Sequence, residues 1–165
     1  MWAVCVLMFG MSADTVLMCL LCSALVVVSI YDCRERIIPL WINLFIFLLG
    51  AVRLFMNVEF WYDYAAGFFI VSAFLLIMYY ITKGKSVGGG DIKLVAVTGL
   101  FLGWKYILVA FIIGCFAACI IHPVRMRLFG RGRELALGPY LSFGVIITLW
   151  FGNFILGKYL ELFAV

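Results

Sequence analysis

The chain has 165 residues, of which 68% are apolar and only 12% charged, with a net charge of +4. A soluble domain is nearer half apolar and a quarter charged, so lipid must be the solvent for much of this surface. Nothing in the charge pattern forms a nucleic-acid-binding stripe, and no linker, low-complexity stretch or internal repeat divides the chain, which reads as one domain over 1–165.

In chain order, the first stretch, Met1 to Ala13, is apolar but lacks a basic leading region, so it does not read as a cleaved secretory signal. It either packs on the outer membrane face or extends the first span. Six apolar segments follow, at about 15–31, 37–55, 61–81, 92–102, 106–121 and 135–156. A helix needs ~20 residues to cross a ~30 Å hydrocarbon core, and most of these segments approach that length. Helices are expected because each satisfies its own backbone hydrogen bonds in lipid. The expected fold is therefore an all-α polytopic membrane protein with about six transmembrane helices. The fourth segment is short: at 1.5 Å per residue it covers about 16 Å, roughly half the core. Either Gly88 to Asp91 joins that helix or the helix stops short, and both options put Asp91 at the membrane boundary.

Nine of the twelve basic residues follow the first, third and fifth spans: Arg34, Arg36, Lys83, Lys85, Lys93, Arg125, Arg127, Arg131 and Arg133. Arg53, Lys105 and Lys158 lie on the other side. Lysine and arginine concentrate on cytoplasmic loops, so the loops at 82–91 and 122–134 are expected in the cytoplasm and both termini outside. Trp41, Trp61, Trp104 and Trp150 lie near span ends and fit interfacial anchoring.

Two carboxylates stand out. Asp32 ends the first span, in Tyr31-Asp32-Cys33-Arg34-Glu35-Arg36-Ile37-Ile38-Pro39, and Asp91 follows Gly88-Gly89-Gly90. Two crossings separate them and two more lead to Leu137-Gly138-Pro139-Tyr140, so all three motifs share one membrane face. A carboxylate beside lipid is costly unless it is used or paired. Two that approach closely share a proton, leaving one to activate water and one to assist a carbonyl oxygen. No competing set exists: the only histidine is His122, and there is no HExxH. Glycines before Asp91 allow a substrate backbone to come close.

Each element also has a plainer reading. Asp32 can be a helix-end charge paired with Arg34 or Arg36, and Asp91 a helix cap after a glycine loop. Gly138-Pro139 can simply begin the sixth helix, and His122-Pro123 simply end the fifth. Glu35 and Glu134, among arginines, read as surface charges. Cys19 and Cys22 form a CxxC inside an apolar run, which reads as small-residue helix packing rather than a metal or redox site.

Together these residues resemble the type IV prepilin peptidase family of aspartic peptidases, which includes the preflagellin peptidases. Asp32 to Pro39 looks like the family's first aspartate followed by basic residues and Ile-Pro. Gly88-Gly89-Gly90-Asp91-Ile92-Lys93-Leu94 looks like its GxGD motif, and Leu137-Gly138-Pro139-Tyr140-Leu141 like its sixth-span Phe-Gly-Pro-aromatic-Leu. The resemblance implies a membrane-embedded endopeptidase that cuts the leader from prepilin or pseudopilin proteins on the cytoplasmic side. It makes Asp32 and Asp91 the catalytic pair, with Gly88 and Gly90 shaping the site, Lys93 positioning it, and Gly138 and Pro139 beside it. No cofactor and no metal is implied, and the partners are prepilin-like substrates and the lipid bilayer. Leu40 stands where the family often has asparagine, with Asn43 later, and Leu137 where phenylalanine is common. Larger members carry a cytoplasmic insert with paired CxxC motifs after the first span and also methylate the new N-terminus. The short Asp32–Pro39 connection has no such insert, so no bound zinc and no separate methyl-donor domain are expected. The chain looks similar to the compact forms of tight-adherence or Flp-type pilus systems. The competing readings are a catalytically silent scaffold on the same fold and a small ion-coupled transporter using the two acids.

Overall fold

The computed structural model describes residues 2, 10–84, 87–129 and 137–163. Lys85, Arg131, Arg133, Glu134 and the side chain of Arg125 lie outside the described residues, as do most of 1–13 and the first two residues of the expected sixth segment.

Every regular element described is helical. The helices are α1 (Ala13–Glu35), α2 (Leu40–Met56), α3 (Trp61–Ile81), α4 (Gly89–Leu102), α5 (Trp104–Phe129) and α6 (Gly138–Phe163). A single 3-10 turn, Val58–Phe60, leads into α3. Among the described residues, α1, α3 with its leading turn, α5 and α6 are long and apolar enough to cross a membrane, and α2 is a shorter apolar helix. The chain is thus a multi-pass membrane protein. At 14 residues, α4 spans about 21 Å and falls short of a crossing.

Local chemistry sets the helix ends that matter. The Ser12 hydroxyl accepts the Thr15 N–H and caps α1. Arg36 ends α1 in a left-handed backbone conformation (φ 56°), its N–H returning to the Asp32 carbonyl. Residues other than glycine rarely adopt that conformation, and here it turns the chain sharply into α2. Gly103, with φ 84°, ends α4 and admits α5 directly.

His122-Pro123 does not end the fifth helix. Pro123 lies inside α5, which continues to Phe129. The proline removes one N–H and leaves one carbonyl without its usual donor, a loss that a helix near its end tolerates.

The packing places α4 at the centre. It touches α2, α3, α5 and α6, and every residue from Leu94 to Leu102 is buried. A helix apolar on all sides belongs inside, and here its short length is tolerated because protein, not lipid, surrounds it. Helices in lipid associate by close packing rather than by water exclusion, and small residues permit it. A Cβ on Gly67 of α3 or Gly99 of α4 would run into the other's carbonyl group, so the two backbones touch. The lipid-facing surface is rich in exposed large apolar side chains, such as Phe45 and Leu48 on α2 and Phe69, Phe74 and Ile77 on α3. Cys19 and Cys22 are both buried in α1.

Opposite ends of the bundle carry different chemistry. At one end, Arg53 lies 3.7 Å from Asp14, donates to the Phe101 carbonyl at 3.2 Å and stacks over the Phe101 ring. The Trp104 indole donates to Asp63 there. The other end holds Asp32, Asp91 and Gly138.

Candidate active site

Asp32 comes from the last turns of α1, and Asp91 is the third residue of α4. Both α2 and α6 touch α1 and α4, and these shared neighbours bring the two helix ends together. Both aspartates line one cavity of about 260 Å³. Its walls are Asp32 and Arg36 from α1, Ile37 and Ile38 from the connection, Leu40 and Asn43 from α2, and Gly88 to Asp91 with Lys93 from α4.

Both carboxylates are buried, Asp32 to 5% exposure and Asp91 to 8%. Asp32 has a partner: its Oδ2 accepts the Gly138 backbone N–H at 2.8 Å. That N–H opens α6, so the carboxylate sits at the positive end of a helix dipole. Asp91 Oδ1 is buried with no hydrogen-bond partner among the described residues. Asp91 lies in the first turn of the short α4, outside the spanning helices. Burial pushes its carboxyl up to about 6, the Asp32 charge adds to the rise, and the Gly88 backbone pulls the other way. The site therefore sets a carboxyl that holds its proton to a higher pH than usual, about 6, near a second buried carboxylate.

The glycines are placed by contact. A Cβ on Gly138 would stand 2.7 Å from Asp32 Oδ2, and one on Gly88 3.0 Å from Asp91 Oδ2. One on Gly90 would press the Ile38 side chain at 3.2 Å, whereas one on Gly89 would meet nothing within 4 Å. Gly88 and Gly138 therefore leave room for the two carboxylates, Gly90 lets α4 rest on the Ile38 segment, and Gly89 opens to the cavity. Gly88 occupies the cap position, and Gly89, Gly90 and Asp91 all belong to the helix, so Asp91 is not itself the cap. Lys93 lines the cavity with an exposed side chain. Pro139 does not line it and sits in the first turn of α6. Glu35 is exposed and outside the lining. Among the described residues no group of three or more His, Cys, Asp or Glu side chains is arranged to hold a metal.

Two lining residues with polar side chains, Arg36 and Asn43, lie outside the expected site set. Arg36 enters through the turn its backbone makes. Asn43 is the only polar side chain between Pro39 and Arg53, which was the signal available in the sequence.

The profile of the type IV leader peptidase family matches residues 19–122. The chain is 31% identical over 158 residues to a prepilin leader peptidase/N-methyltransferase of Bacillus subtilis, covering 93% of this chain and 63% of that protein. It is 26% identical to the protein of the same description from Legionella pneumophila, covering 92% of this chain and 55% of that one. A third, from Stutzerimonas stutzeri, is also 26% identical, with 93% and 55% covered. The chain thus spans 55 to 63% of the length of these relatives. No solved structure matches it. With a profile match over more than half its length, on the stretch that holds both aspartates, the chain belongs to the type IV leader peptidase family.

Proposed function

We propose that this chain is a membrane-embedded aspartic endopeptidase that removes the leader from type IV prepilin-like proteins, with Asp32 and Asp91 as its catalytic pair. The observation that carries the reading is the meeting of these two buried carboxylates, from different helices, in one cavity. Asp32, which accepts the Gly138 N–H, suits the ionised role and takes a proton from water as that water attacks the scissile carbonyl carbon. Asp91, which burial makes keep its proton to a higher pH than an ordinary carboxyl, gives that proton to the carbonyl oxygen from its protonated form. The tetrahedral intermediate then collapses: the C–N bond breaks, the leaving amine takes the proton held by Asp32, and one hydroxyl of the new carboxyl group returns a proton to Asp91. Gly89 leaves the floor open for substrate backbone, Gly88, Gly90 and Gly138 keep the carboxylates in place, and Lys93 positions the cavity rim.

The site faces the cytoplasm in this reading, since the basic residues Arg34, Arg36, Lys83 and Lys93 crowd the same end of the bundle as the aspartates. The substrates are prepilins or pseudopilins, which the relatives' shared description supports. A paired-acid cavity with an open glycine floor favours hydrolysis over a silent scaffold or an ion site. The test is coexpression with a prepilin, following the leader-cleavage shift on a gel. Cleavage by the wild type that disappears with Asp32→Asn or Asp91→Asn supports the reading. Cleavage that persists in either variant removes it.

A further inference from the structure

Asn43 stands in the first turn of α2, only 3% exposed, on the wall of the cavity that holds Asp32 and Asp91. Both its Oδ1 and its Nδ2 are buried with no hydrogen-bond partner among the described residues. A buried amide that pairs with nothing costs free energy, and a group kept that way calls for an explanation. Other buried side-chain groups without partners, among them Ser142, Thr148 and Trp150, lie away from this cavity; Asn43 and Asp91 alone of that set line it.

From this geometry we infer that Asn43 is a substrate contact, its side-chain amide hydrogen-bonding the peptide backbone beside the scissile bond. The inference rests on the peptidase reading above. A primary amide offers a carbonyl acceptor and an N–H donor side by side, the same pair a peptide unit presents. It can therefore form two bonds to an extended segment, accepting from a backbone N–H and donating to a backbone C=O. Such pairing is indifferent to the substrate's side chains and carries no charge. The charged neighbours Arg36 and Lys93 suit acidic groups instead. Asn43 does not titrate, so it plays no part in proton transfer; it holds the strand in register with the two carboxylates. Among the described residues its amide has no partner, and bound substrate supplies two.

The experiment compares wild type, Asn43→Leu and Asn43→Gln, purified in detergent, on a prepilin substrate, with thermal melting of the free enzymes. Leucine keeps the branched shape and removes both polar groups. Asn43→Leu should raise KM by about tenfold or more with kcat changed much less, as loss of uniform substrate binding does. Its melting temperature should stay level or rise, because an unpaired buried amide has gone. Asn43→Gln, which keeps the amide, should recover part of the KM loss. Unchanged KM in Asn43→Leu overturns the inference while leaving the peptidase reading intact. So does a fall in melting temperature that accounts for the lost activity, which would mark a structural role. A wild type that leaves prepilin uncut overturns the peptidase reading, and this inference with it.

Discussion

The Gly138 backbone N–H donates to Asp32 Oδ2 at 2.8 Å, tying the end of α1 to the first residue of α6. This contact gives the Gly-Pro motif of the sixth span a role at the site although Pro139 never reaches the cavity. The glycine is needed because the carboxylate fills the space a side chain would take.

Gly138→Ala puts a Cβ 2.7 Å from Asp32 Oδ2 and 3.0 Å from its Cγ, so the carboxylate must turn or α6 must shift. A displacement of an ångström at a reacting group can cost on the order of 100-fold in rate. Cleavage should fall by roughly that factor, with a stability loss of about 1–3 kcal/mol from overpacking. Cleavage assays normalised to the membrane-inserted protein measure the first and melting curves the second. Full activity in Gly138→Ala would show that the contact is dispensable.

Asp32→Asn and Asp91→Asn should each lower cleavage by roughly 10²–10⁴-fold while the protein stays in the membrane, since asparagine keeps the shape but neither ionises nor donates an acid proton. If the pair works as a unit, the double variant should be little worse than either single one. Glu35→Gln, at an exposed carboxylate outside the cavity, should keep most activity. Additive losses in the double variant would argue for two independent roles.

Asp91 also links stability to pH. Its ordinary value of 3.8 rises to about 6 in the folded protein, so the fold holds this proton more tightly than the unfolded chain does. The ionised form is the destabilised one: its cost is full above about pH 6, shrinks as pH falls toward 3.8, and vanishes below. Asp91→Asn removes that cost, a gain of up to roughly 3 kcal/mol. Asp91→Asn should therefore melt higher than wild type in detergent at pH 8 and level with it at pH 4. A lower melting point at pH 8 would contradict a buried, strained charge.

Topology is testable by single-cysteine labelling in a cysteine-free background. A cysteine at position 83, in the turn after α3, should resist membrane-impermeant maleimide in intact cells and react after lysis. One at position 58, at the opposite end, should label from outside. The reverse pattern would invert the bundle and put the site outside the cytoplasm.

Much of this protein is legible without coordinates. The all-helical, multi-pass character follows from apolar run length, because in lipid the backbone has few alternatives to helix. Asp32, Asp91 and Gly138 stand out as candidates because charge and glycine–proline pairs are conspicuous in an apolar chain, and counting crossings puts them on one face. The fifth helix was less legible: Pro123 signals an end by local propensity, yet the helix runs on to Phe129.

What the linear chain cannot express is which helices touch. Periodicity is uninformative for α4, which is apolar on every side, so neither its central place nor its burial among α2, α3, α5 and α6 could be read from it. The contact of Gly67 with Gly99 and the convergence of Asp32, Asp91 and Asn43 on one cavity depend on that central place, and the pairing of Gly138 with Asp32 on the direct packing of α6 against α1. Asn43 shows the difference most clearly. In the sequence it is one polar residue in an apolar run, and only packing, by leaving its amide without a partner among the described residues, makes it a candidate for binding something from outside.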